Sequence, residues 1–201
     1  MSSKKKLNRG ATVAMIVLAV ILVPVLLINL TLIVKGSIYT DSPPDVFGIA
    51  PLAVTSGSMK GDEKGSFDEG ALIFVKKLSA SDKNNLEAGD VITFLTDGVY
   101  VTHRIVSVNK NSSGDSVSFV TKGDANNVSD GAIPAQNVFG KCVGSVAGLG
   151  GFMLFLLTPA GILLFVGLPI LIYVAVDVLL IALHNRKVAK TQGENSPDEN
   201  I

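Results

Sequence analysis

Two uncharged apolar runs bracket this chain and limit what it can fold into. Ala11 to Val34 is 24 residues without a charged side chain, and Phe152 to Leu183 is 32 residues with Asp177 as its one charge. As a helix the first run reaches about 36 Å at about 1.5 Å per residue, enough to cross a hydrocarbon core of roughly 30 Å. A cleavable signal peptide has a shorter apolar stretch, of about 7–15 residues, that ends in small side chains. Leu32-Ile33-Val34-Lys35 offers no such exit, so the run reads as an uncleaved anchor over 11–34. Pro24 and Asn29 lie inside it, which a membrane helix tolerates. The second run is longer than one straight span needs. Thr158-Pro159-Ala160-Gly161 divides it into a membrane-associated segment, 148–160, and a spanning helix, 161–183.

The flanking charges orient these spans. Lys4, Lys5, Lys6 and Arg9 precede the first, and His184, Arg186, Lys187 and Lys190 follow the second. Basic residues collect on the cytoplasmic side. Residues 1–10 and 184–201 are therefore expected inside and 35–147 outside, with the polar tail disordered from Thr191. Asp177, an ionisable residue within a span, is a functional candidate by default, although it fits a headgroup position equally well.

The middle region has a different texture. Ser42-Pro43-Pro44 marks a loop, after which short β-type runs alternate with turn residues. The runs are Phe47–Val54, Ala71–Val75, Val91–Leu95, Tyr100–Val108, Val117–Lys122 and Asn137–Val146. Asp97-Gly98, between the third and fourth, is a two-residue hairpin signal. Residues 60–70 read as an exposed charged loop, and 78–90 as polar with room for a helical turn. The expected fold is mainly β: an antiparallel β-domain between two transmembrane helices. Seventeen basic and seventeen acidic side chains cancel, so charge makes no case for nucleic acid as a partner. The single cysteine, Cys142, excludes an intrachain disulfide and reads as a buried structural residue of a strand.

Within this region a few residues can carry chemistry. Ser56-Gly57-Ser58-Met59 closes the first β run, where a serine is either a turn residue or a nucleophile. Serine needs a neighbouring base to take its proton, and histidine, which titrates near 6.5 in isolation, suits that task. The topology puts His184 in the cytoplasm, so His103 is the one histidine available to the β-domain. Alternation in the fourth run places His103 on a face with Val99, Val101 and Ile105, which also fits a half-buried structural histidine. A carboxylate could orient its imidazole. The loop Thr121–Asp130 supplies Asp124 and Asp130, with Asn126 and Asn127 between them. A solvated turn is the plain alternative, and the acid spacing of an EF-hand is absent.

These motifs, in this order between two anchors, resemble type I signal peptidases, and among them the endoplasmic-reticulum-type branch that also occurs in archaea and some Gram-positive bacteria. The resemblance covers residues 48–146 and includes Gly89-Asp90-Val91-Ile92-Thr93-Phe94, Lys122-Gly123-Asp124 and Val138-Phe139-Gly140-Lys141. It implies Ser58 as nucleophile, His103 as general base, Asp130 as orienting acid and Asp124 as a supporting acid. Ser56, with the Ser58 backbone N–H, is implied as the oxyanion hole. The implied substrates are secretory preproteins cut after small residues at the surface of membrane lipid; no cofactor or metal is implied, and no accessory subunit is identified. One departure stands out. Lys60-Gly61 follows Met59 where the family has a proline two residues after the methionine, and the loop to Gly70 is longer and more charged than usual. The expected location is a plasma membrane, or the endoplasmic reticulum membrane in a eukaryote. An asparagine sequon at Asn127, beside the acid, favours the former. Two other readings are open: a non-catalytic membrane-anchored β-module that binds an envelope partner, and a serine–lysine peptidase using Lys76 or Lys77.

Overall fold

The computed structural model describes residues 2–39 and 42–193. They form two compact units: Leu27–Leu157, and the residues before and after that segment.

The larger unit is built on one antiparallel sheet. Its strands are β1 (Ile49–Ala53), β2 (Leu72–Lys77), β3 (Val91–Thr96), β4 (Val99–Lys110), β5 (Ser116–Lys122), β6 (Ala132–Pro134) and β7 (Val138–Val146). Their spatial order is β1-β2-β7-β3-β4-β5-β6. The predicted hairpin joins β3 to β4, with Thr96 opposite Val99. Asp97 and Gly98 both take positive φ, 49° and 78°, as a tight two-residue turn between right-twisted strands requires. The six expected strands are all present within a few residues. The seventh, β6, is a three-residue edge strand containing a proline, too short to leave a periodic signal. The helical turn expected in 78–90 is a 3-10 turn, Asp82–Asn85.

Period-two alternation gives the sheet a core on each face. Val91 of β3 packs with Met59, Phe67, Ile73, Val75 and Phe139. Its neighbours Ile92 and Phe94 pack with Ile105, Phe119, Ile133 and Val138. Each such side chain contributes about 1.5–3 kcal/mol on burial. Residues 60–70 were expected to be plain exposed loop, but Phe67 is buried and its N–H donates to Met59 O at 3.0 Å. β4 carries a bulge at Val106, since Ile105 faces Thr121 while Ser107 faces Val120. The bulge shifts the alternation, so Val108 joins the core side.

The helix α1 (Ser2–Ile38) runs four residues past the expected end of the anchor. Near its end Leu32 is buried, and Lys35 pairs with Asp45 at 3.1 Å. After β7 comes α2 (Leu149–Leu156), within the segment expected to lie at the membrane. Gly150 seats it: its N–H donates to Gly70 O at 2.9 Å, and a Cβ there would stand 2.5 Å from Ala71 O.

In the smaller unit the chain restarts at the expected break. Thr158 caps α3 (Pro159–Ile162), its hydroxyl accepting from Gly161 N–H at 3.1 Å, with Pro159 in the first turn. A π-helical turn, Leu163–Gly167, leads into α4 (Leu168–Gly193). Two spans were expected, at 11–34 and 161–183. Among the described residues one helical window, Pro159–Val176, is long and apolar enough to cross a membrane, and Val23–Ile38 is a shorter apolar helix. Helix α4 runs to Gly193, past the Thr191 at which disorder was expected, because nothing in Lys187–Gln192 breaks a helix. Residues 194–201 and the side chain of Asp177 lie outside the described residues.

Candidate active site

The site is assembled from three segments of the larger unit. The first follows β1. Val54 extends the β1–β2 pairing, its N–H donating to Ala71 O at 2.9 Å. The chain then turns, with Lys60 N–H donating to Gly57 O at 3.0 Å. Ser58 and Met59 are the central residues of that turn. Met59 is 1% exposed and acts as its anchor in the core, while Ser58 is half-buried and Ser56 exposed.

The second segment is β4. His103 lies opposite Ile92 of β3 and is 6% exposed. Its ring meets Phe94 edge-on, with centroids 6.3 Å apart. The third is the loop that leaves β5 after Lys122. It presses against the Ser58 turn: Ala125 N–H donates to Ser58 O at 2.9 Å. Gly123 lets it come so close, because a Cβ there would lie 2.6 Å from Ser58 O.

These segments place three side chains in a line. Ser58 Oγ is 3.1 Å from His103 Nε2, and His103 Nδ1 is 2.5 Å from Asp130 Oδ2. An ionised Asp130 accepts from Nδ1–H, which leaves Nε2 as acceptor for the Ser58 hydroxyl. Ser56 Oγ stands 3.3 Å from Ser58 Oγ.

Asp124 is held elsewhere. It accepts from Arg104 Nε at 2.9 Å and Nη2 at 2.7 Å, and from Ser66 Oγ at 2.5 Å. Burial pushes its carboxyl up, but the Arg104 and Ser66 hydrogen bonds and the Arg104 charge outweigh that and hold it below the usual carboxylate range. Arg104 is raised in turn, chiefly by its hydrogen bonds to Asp124. The same guanidinium donates from Nη1 to Lys64 O at 3.1 Å and Gly89 O at 2.9 Å. Asp124 is thus a brace beside the line, tied to the residue after His103.

Other candidates fall away from the site. Lys76 and Lys77 are exposed residues of β2, and the Ser58 hydroxyl meets His103 and Ser56 rather than a lysine. Cys142 is half-buried rather than buried; burial pushes its thiol up, which suits an inert structural cysteine. The sequence reading missed Thr121, whose hydroxyl donates to Asp130 Oδ2 at 2.8 Å. It also assigned nothing to Ser66 or to the Arg104 fork. Arg104 had a legible signal, since in a strand it points away from the His103 face and needs a partner there. Thr121 and Ser66 had none.

A serine hydroxyl on an imidazole whose far nitrogen faces a carboxylate is the arrangement acyl-transfer hydrolases use. No family model matches the chain. Over 121 residues it is 41% identical to Signal peptidase I W of Bacillus subtilis (strain 168), a match covering 59% of this chain. The chain spans 60% of the length of that curated relative.

Proposed function

We propose that this chain is a membrane-bound serine endopeptidase, a signal peptidase I that removes N-terminal signal peptides from secreted preproteins after small residues. The observation that carries the reading is the unbroken line from Ser58 through His103 to Asp130. The similarity to Signal peptidase I W supports it.

In this reading His103 Nε2 takes the Ser58 proton as Oγ attacks the scissile carbonyl. Asp130 holds the tautomer and stabilises the imidazolium. The Ser58 backbone N–H and the Ser56 hydroxyl receive the oxyanion. Collapse expels the mature protein's amine, protonated by His103, and leaves the signal peptide as an ester on Ser58. Water, deprotonated by the same imidazole, then frees it. Substrate enters as an added strand. Two strand edges suit this. Among the described strands β1 pairs with β2 alone, its other edge bridged only at Ile49 by Val46, and Val99–His103 pair with β3 while β5 begins its pairing at Arg104. One of these edges runs into Ser58 and the other ends on His103.

The anchoring follows the same logic. Both termini are cytoplasmic, residues 11–34 and 161–183 cross the plasma membrane, and 35–147 work outside. The exposed Leu149, Phe152, Leu154 and Phe155 of α2 suit a segment lying in the interface.

The test is cleavage of a preprotein whose signal ends in Ala-x-Ala by the full-length chain in detergent. Cleavage after the small residue, abolished by Ser58→Ala and by His103→Ala, is the expected result. Full turnover by His103→Ala would move the base to a lysine. Absence of cleavage, both there and with co-expressed native preproteins, would leave the β-module reading.

A further inference from the structure

Strand β5 raises a question of its own. Its burial alternates, and Phe119 and Thr121 share its core face, both with no exposed surface. At a fully buried strand position valine has the same shape as threonine and no hydroxyl to desolvate. Thr121 keeps the hydroxyl and spends it on one acceptor, Asp130 Oδ2, at 2.8 Å. That oxygen is the one that faces His103 Nδ1. Thr121 also holds the backbone of the same residue, its carbonyl accepting Asp130 N–H at 2.8 Å. The loop 123–129 therefore leaves β5 and returns to Thr121 itself. Thr121 in turn lies opposite Ile105, two residues along β4 from His103.

We infer that Thr121 is a positioning residue of the site: gripping Asp130 by both N–H and carboxylate, it fixes the acid against His103 Nδ1 in the register set by β4 and β5. The role is distinct from that of the line itself, since Thr121 acts through Asp130. It rests on the peptidase reading. With two donors on one oxygen, the Asp130 side chain is held in a single orientation. Without the hydroxyl the carboxylate is free to rotate, and the imidazole loses its fixed tautomer. The reaction suffers, while substrate binding along the strand edges does not.

The experiment compares Thr121→Val, Thr121→Ser, Ser58→Ala and the intact full-length chain in preprotein cleavage, with melting temperature read beside. Loss of a hydrogen bond to a charged group predicts that kcat falls about 10- to 100-fold in Thr121→Val. KM is expected to stay within about twofold, because ground-state binding is untouched. Thr121→Ser, which keeps the hydroxyl, restores most of kcat. Undiminished kcat in Thr121→Val overturns the inference, and so does a serine variant as slow as the valine one, which would point to packing. If Thr121→Val is too unstable to assay, Thr121→Ala takes its place with the same expectation. A second readout needs no turnover: the low-field proton of the His103 Nδ1–H···Asp130 bond, assigned by its loss in His103→Ala. It is expected to shift or vanish in Thr121→Val and persist in Thr121→Ser, and an unmoved signal overturns the inference. Failure of the intact chain to cleave would instead count against the peptidase reading, and the proton signal would still decide whether Thr121 holds Asp130.

Discussion

Asp124 and Asp130 belong to one loop, and the two ends of that loop do different work. Asp124, 6% exposed, is locked to the Arg104 fork and the Ser66 hydroxyl. Asp130, 23% exposed, meets His103 and Thr121. At the first end the carboxylate is neutralised by a permanent cation. At the second it faces a group that can gain and lose charge. On the peptidase reading, the same residue type in one loop serves as a brace or as an orienting acid according to the partner that the sheet presents. Arg104 and His103, adjacent in β4, point to opposite faces and divide the two carboxylates between them.

The sharpest way to break the comparison is Asp130→Asn. The amide keeps the shape but favours the other imidazole tautomer, so turnover is expected to fall about 10³- to 10⁴-fold while the fold survives. Steady-state cleavage rates together with a melting curve check it. Wild-type turnover would take Asp130 out of the line and reopen the choice between the two acids.

Gly123→Ala attacks the loop between its ends. The new Cβ would sit 2.6 Å from Ser58 O and 2.8 Å from the Asn126 side chain. Backbone cannot yield there without moving the Ser58 turn or the loop. If Ser58 is the nucleophile, as proposed, a displacement of about an ångström costs about 10²-fold in rate. Kinetics of the variant should show that loss at nearly unchanged KM. An unimpaired enzyme would mean that the loop moves without carrying Ser58.

How much of this was legible follows from where the information sits. Asp97-Gly98 announced its hairpin because only a few residues accept positive φ, and His103 stood out as the one histidine left to the β-domain. Asp130 carried no such mark. Nothing in its own neighbourhood distinguishes it from Asp124, and it was singled out only through the family resemblance. The partners of both acids come from residues far off in sequence, Ser66 and Arg104 for one and His103 for the other. Thr121 was invisible for a further reason: a buried threonine in a strand is ordinary β-propensity until its acceptor is known. Val106 likewise gave no sign of a bulge, so the turnover of faces beyond Ile105 could not be read.

Asp124→Asn tests the brace, with a smaller effect on rate and a distinct signature in stability. Arg104 loses its charge partner while its side chain stays 18% exposed. Stability is expected to drop by about 2–3 kcal/mol, below the usual cost of breaking a fully buried pair because Arg104 still reaches water. Cleavage is expected to slow by about tenfold, through looser seating of the loop against Ser58. The dependence on pH separates this from a packing defect. The Asp124 carboxyl is held below its ordinary value of 3.8 in the folded chain. Its contribution is therefore complete above that value and is lost as pH falls through the lower, folded one. Melting temperatures of wild type and Asp124→Asn should differ by a constant amount from pH 8 down to about 5 and converge in acid below about 4. A gap that persisted at low pH would show the amide's shape, rather than the lost charge, to be at fault, and Asp124 would then differ from Asp130 in packing alone.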